Sequence, residues 1–197
     1  MYYAIFSLRF AIALCLLLLV AGHPASGAVT FSGDTSNDGI SVVIGENGSG
    51  NITINGGSSL SNAYSIIGLN SGSVGVANVS NGTWTNSTSL TVGASGNGTL
   101  NLTGGNVTCN NESYIGDIAG SYGEVNISNG RWSSPVLIMG NSGNATLNLT
   151  SGNVSSSNSY IGGASDGKGV ANVSGGTWTN TTNQFHVGFS GNGTLNL

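Results

Sequence analysis

A hydrophobic residue followed by glycine recurs along this chain at nearly fixed intervals. The pairs are Ile44-Gly45, Ile67-Gly68, Val92-Gly93, Ile115-Gly116, Met139-Gly140, Ile161-Gly162 and Val187-Gly188. Their glycines lie 23, 25, 23, 24, 22 and 26 residues apart. Short and long intervals alternate, so the deeper period is a doublet of about 48 residues. A period of this size marks an array in which each unit buries its apolar face only against its neighbours.

Each pair is followed by an apolar–polar–apolar segment: Ile52-Thr53-Ile54, Ala77-Asn78-Val79, Leu100-Asn101-Leu102, Val125-Asn126-Ile127, Leu147-Asn148-Leu149, Ala171-Asn172-Val173 and Leu195-Asn196-Leu197. Alternation of period two is the pattern of a half-buried strand. A Gly- or Asn-containing turn comes next, as in Gly56-Gly57, Asn81-Gly82 and Gly104-Gly105. These residues tolerate the positive φ of tight corners. A third segment then places Ser59, Trp84, Val107, Trp132, Val154 and Trp178 in equivalent slots. After the leader no stretch carries a 3.6-residue apolar stripe. Three short strands and three turns per 24 residues or so predict an all-β chain, a right-handed single-stranded parallel β-helix. Coils stack about 4.8 Å apart, the ordinary interstrand spacing, so seven coils make a rod roughly 34 Å long. The expected divisions are a leader over 1–28, an N-terminal cap over 29–41 and coils over 42–197.

Two residues before each hydrophobic–glycine pair, the inward position runs Val42, Ser65, Leu90, Ser113, Leu137, Ser159 and Phe185. Large and small alternate, and tryptophans fall on every second coil. A serine in one wall is expected to make room for an indole from another, keeping the bore filled.

The N-terminus reads as an export signal. Arg9 precedes the apolar run Phe10–Val20, which is too short to span a bilayer comfortably, and small residues from Ala25 to Ala28 follow. Without the leader the chain keeps Arg131 and Lys168 against seven acids, a formal charge of −5, and a single thiol, Cys109. One thiol forms no intrachain disulfide. Only 5% of residues are charged, against about a quarter in an ordinary domain. So few basic groups argue against nucleic-acid binding. Stacking also accounts for the low charge. Like charges about 4.8 Å apart repel by roughly 0.9 kcal/mol even in water, and the penalty recurs at every coil, whereas Asn, Ser and Thr can hydrogen-bond along the row.

The segment Val92–Val107, V-G-x-S-G-N-G-T-L-N-L-T-G-G-N-V, resembles the repeat of autotransporter passengers and of PEP-CTERM-associated proteins. The resemblance extends in outline over most of 42–197. It implies an exported, surface-displayed bacterial stalk or adhesin of the type V kind, localised at the outer membrane or cell surface, with no cofactor. The sequence ends in mid-repeat at Leu195-Asn196-Leu197, and the expectation is a fragment whose translocator or anchor lies elsewhere.

Candidate sites are few. Glu46 and Asp117 share one slot but lie three coils, or about 14 Å, apart, too far for a carboxylate pair. Glu112, Glu124 and Asp166 fall in other slots, so no catalysis is expected and a polysaccharide-cleaving β-helix is the alternative. His186 has no second histidine in the mature chain, and no metal site is expected. Gly162–Gly167 occurs once, whereas calcium-binding nonapeptides need tandem copies. The outward row Val43, Ile66, Thr91, Tyr114, Ile138, Tyr160, His186 reads as a contact stripe for a host or environmental surface, a carbohydrate or a second copy. Trp84, Trp132 and Trp178 read as core, with a sugar-stacking row as the alternative. The Thr/Asn row, interrupted by Val76, Glu124 and Val170, leaves ice binding as a further alternative. Sixteen asparagines sit in Asn-X-Ser/Thr triplets, which can accept glycans in exported proteins but which the repeat itself also generates.

Overall fold

Residues 27–197 are described by the structure, a computed structural model. The leader, with Arg9 and Cys15, lies outside them apart from its last two residues. The strands are β1 (Val29–Gly33), β2 (Thr35–Asn37), β3 (Ser41–Ile44), β4 (Ser49–Asn55), β5 (Ser59–Ile67) and β6 (Val74–Ser80). Next come β7 (Gly82–Val92), β8 (Asn97–Leu102), β9 (Gly105–Cys109), β10 (Glu112–Ile115), β11 (Tyr122–Ile127) and β12 (Arg131–Met139). The chain closes with β13 (Asn144–Leu149), β14 (Asn153–Ile161), β15 (Lys168–Val173), β16 (Thr177–Val187) and β17 (Asn192–Asn196). There is no helix among the described residues. Parallel coils about 24 residues apart form a β-solenoid of about six turns.

Two sheets wall the bore. The first has the order β1-β4-β6-β8-β11-β13-β15-β17, the second β2-β3-β5-β7-β10-β12-β14-β16, with β9 beside β7 and β12. The third and first segments of successive repeats are therefore one sheet. In β5 and β14 they run through a single bent strand whose register slips between Asn62 and Tyr64 and between Ser156 and Asn158. In one coil the bend separates them into β9 and β10. A bulge absorbs the extra residues without ending the sheet, so the bend is hidden from a reading that looks for turns. Exposed Pro135 sits at the same bend of β12, where a missing N–H is tolerated.

The corner glycine of each hydrophobic–glycine pair has positive φ, from 65° at Gly116 to 76° at Gly162. A second row, Gly75, Gly98 and Gly123, passes close under the preceding corner. A Cβ on Gly75 would lie 2.1 Å from the Ile44 carbonyl oxygen. Together these two rows explain why glycine recurs where the coil turns.

The core consists of in-register apolar rows, such as Ile44, Ile67, Val92, Ile115, Met139 and Ile161, all fully buried. Trp84 stacks between Leu60 and Val107; Leu60, not Ser59, fills the first slot of that row. The indole is accommodated differently from the expectation too. Serines 65, 113 and 159 belong to the coils without tryptophan. The small residues in the tryptophan coils are Ala77, Val125 and Ala171 on the first sheet, where the other coils carry Ile52, Leu100 and Leu147. Each coil trades Trp plus a smaller first-sheet residue against Val or Leu plus a larger one, which offsets part of the indole's bulk.

The N-terminal end is closed by antiparallel pairing. β1 runs against β4 and β2 against β3. Between them, Asp34 accepts hydrogen bonds from the backbone N–H groups of Asn47 and Gly48, both at 2.6 Å. Those bonds hold its carboxyl below the usual carboxylate range.

Candidate contact face

The outer side of the second sheet follows from strand alternation. With Ile44, Ile67, Val92 and their kin turned inward, the preceding residue must face out. Register places Val43, Ile66, Thr91, Tyr114, Ile138, Tyr160 and His186 in one unbroken row. Thr91 is buried and the others are half-buried. A second outward row lies two residues earlier: Tyr64, Ser89, Glu112, Val136, Asn158 and Gln184. Sequence reasoning passed over this row, although the same period-two rule locates it.

The two rows are tied together. Tyr114 donates its hydroxyl to Glu112 Oε2 at 2.5 Å, and Tyr160 donates to Gln184 Oε1 at 2.5 Å. The Tyr114 hydroxyl is pushed up to about 12, first by that bond to Glu112, then by burial and by the negative charges of Glu112 and Asp117. Tyr160 and His186, one coil apart, stack with centroids 5.4 Å apart and planes 5° from parallel. Phe189 meets both edge-on, at 5.1 and 4.9 Å. Beside this group Ile138, Asn141, Tyr160, Gly163 and Phe189 line a shallow open cleft of about 240 Å³. Phe189 was not singled out from sequence, because it follows a corner glycine where most coils carry a small or polar residue. The face therefore offers aromatic edges and aliphatic side chains, with the Tyr114 and Tyr160 hydroxyls already committed to neighbours.

Trp84 and Trp132 are fully buried, and Trp178 is partly buried against Phe185 in the last coil. Their place in the wall leaves Trp84 and Trp132 no surface for stacking a sugar. Beneath the bend a polar row runs through the interior: Asn62, Asn86, Cys109, Ser134, Ser156 and Asn180. Trp84 Nε1 donates to Asn62 Oδ1 at 3.0 Å and Trp178 Nε1 to Ser156 Oγ at 3.4 Å. In both cases the acceptor lies one coil back in that row. The equivalent position for Trp132 holds Cys109, a weak acceptor, and Trp132 Nε1 is without a partner. Ser113 Oγ, on the same coil as Cys109, is also unpartnered, whereas Ser65 and Ser159 bond within the row.

The remaining candidates are scattered. Asp117 accepts from Asn141 Nδ2 at 2.9 Å, and Glu124 lies 3.4 Å from Asn148 Nδ2. Among the described residues no three His, Cys, Asp or Glu side chains come together as metal ligands. The first sheet's outer face carries a different feature, a ladder of asparagines. Asn101 donates to Asn78 at 3.0 Å, Asn126 to Asn101 at 3.1 Å, Asn148 to Asn126 at 2.8 Å, Asn172 to Asn148 at 2.8 Å and Asn196 to Asn172 at 2.7 Å. Each amide satisfies the one before it, so one side-chain chain runs along most of the rod.

Fold and face together define the class: a parallel β-solenoid with one ladder-bearing face and one aromatic-aliphatic face. No family model, curated protein or solved structure matches this chain.

Proposed function

We propose that this chain is a non-catalytic, exported stalk or adhesin displayed at a cell surface, as its resemblance to autotransporter passengers and PEP-CTERM-associated proteins suggests. The observation that carries the reading is the outward row through Ile66, Tyr114, Ile138, Tyr160 and His186, a partly apolar, aromatic stripe that runs the length of the second sheet, opposite a face dominated by Asn and Thr. A solenoid suits this work. Its length grows by a fixed step per coil, and each coil presents the same slots to solvent. The leader read from residues 1–28 supplies export. The acidic groups support the non-catalytic part, since Glu112, Asp117 and Glu124 are engaged by Tyr114, Asn141 and Asn148 respectively and lie on separate rows.

Two assays test the reading. Protease shaving of intact cells that express the chain with its own leader should remove it, whereas an internal chain would survive. Incubation with a panel of polysaccharides should give no turnover. Cleavage of any of them would replace the stalk with an enzyme.

A further inference from the structure

Sixteen Asn-X-Ser/Thr triplets look alike in the sequence, but the fold sorts them into different surroundings. We propose that Asn97, Asn144 and Asn192 on one row, with Asn106 and Asn153 on another, are N-glycan acceptor sites, and that the ladder triplets at Asn101, Asn126, Asn148 and Asn172 are not. The proposal rests on the export reading, because enzymes that glycosylate such triplets work on exported chains.

Three observations separate the groups. The first is commitment of the reacting atom. Nδ2 of each of these four ladder asparagines donates to the preceding coil, at 2.8–3.1 Å, and each of the four side chains is half-buried. Asn97, Asn106, Asn144, Asn153 and Asn192 are all exposed, and no hydrogen bond among the described residues engages their side-chain amides. The second is room. Ladder asparagines recur on every coil, about 4.8 Å apart, so a sugar on one would press on the next in both directions. Asn97, Asn144 and Asn192 alternate with Tyr122 and Lys168, and Asn106 and Asn153 are separated by Arg131. Acceptors on alternate coils stand about 9.6 Å apart, twice the interstrand spacing. The third is the hydroxyl two residues on. Thr99, Thr146, Thr194, Thr108 and Ser155 turn to the same outer side as their asparagines, none of them buried. In Asn111-Glu112-Ser113 that hydroxyl is wholly buried, and in the triplet at Asn86 the asparagine itself is.

The donor would be a lipid-linked oligosaccharide pyrophosphate. Nδ2 attacks the anomeric carbon, the bond from that carbon to the pyrophosphate oxygen breaks, the amide loses one proton, and lipid pyrophosphate leaves. The product is a rod with bulky polar groups along two rows.

The test expresses the full chain in a eukaryotic secretory host, once with its own leader and once behind an established one. Folded protein is collected from the medium and from secretory membranes. Enzymatic glycan release in heavy-oxygen water converts each occupied Asn to a mass-tagged Asp. Peptides come from a protease that cuts after Leu, Tyr and Trp, because trypsin has only Arg9, Arg131 and Lys168 to cut at. Tags are expected at the five proposed sites and absent from the four ladder sites, and Thr146→Ala should lose the tag at Asn144 alone. An untagged chain in the secretory compartment overturns the proposal, as does a folded chain tagged on the ladder. Tags found only behind the established leader would sink the export reading and leave the acceptor assignment standing.

Discussion

The two outer faces of the solenoid are built on opposite principles. On the first sheet nearly every coil repeats one residue at one slot, from Asn78 to Asn196, and each copy hydrogen-bonds to the last. On the second sheet no residue occupies the stripe on two successive coils: Ile66, Thr91, Tyr114, Ile138, Tyr160 and His186 follow one another. Uniform stacking makes a face that satisfies itself and has little left to offer a partner. Variety leaves aromatic edges and apolar carbons partly exposed, the material of a contact surface. The difference teaches that in a stacked fold repetition stabilises and departure from it is where recognition can be placed.

The interior behind the second sheet should show the largest effects. Trp84→Ala removes a fully buried indole in a coil already thinned by Ala77. It should cost about 3–5 kcal/mol, read as a drop in the urea midpoint. A smaller loss would mean that the coil collapses around the gap. Breaking the ladder should do less. Asn126→Ala deletes one donor and one acceptor bond, worth about 1–2 kcal/mol together, and hydrogen exchange should quicken first in β11 and β13. Cys109→Ser should go the other way. It puts a hydroxyl acceptor at the row position that Asn62 and Ser156 fill for Trp84 and Trp178, and a gain of about 1 kcal/mol is expected. A loss in the same denaturation assay would show that the thiol's packing outweighs the orphaned donors.

The smallest effect concerns pH. Tyr114 is held protonated by Glu112, so its folded value near 12 lies above that of the unfolded chain. Below about pH 10 this contribution to stability is fully present. It declines as pH rises toward 12, because the unfolded chain gives up the proton first. Tyr114→Phe should flatten the alkaline limb of the stability profile, and an unchanged limb would place the Glu112 bond elsewhere.

The sequence made the uniform parts of the molecule legible. Period-two triplets located the strands of the first sheet, and their identical asparagines already suggested hydrogen bonding along the row. The corner glycines located the turns. The bend of the second sheet stayed hidden, because a register slip at Asn62 or Ser156 has no glycine or proline to announce it, and Pro135 marks the bend in a single coil. The alternation of large and small was visible, but its pairing was not. Whether a serine or Ala77 gives way to Trp84 depends on which strands face each other across the bore. The stripe was placed residue by residue, whereas Phe189 and the tie between Tyr160 and Gln184 needed the neighbouring coil.

A paired variant experiment tests the division of labour between the faces most directly. Adhesion to a surface or to a second copy and thermal midpoint are measured for Tyr114→Ser/Tyr160→Ser and for Asn126→Ala/Asn148→Ala, with adhesion read well below either midpoint. The account expects the tyrosine pair to lose adhesion with a nearly unchanged midpoint, and the asparagine pair to lose several degrees while adhering as before. Adhesion that survives the tyrosine changes, or disappears with the asparagines, would contradict it.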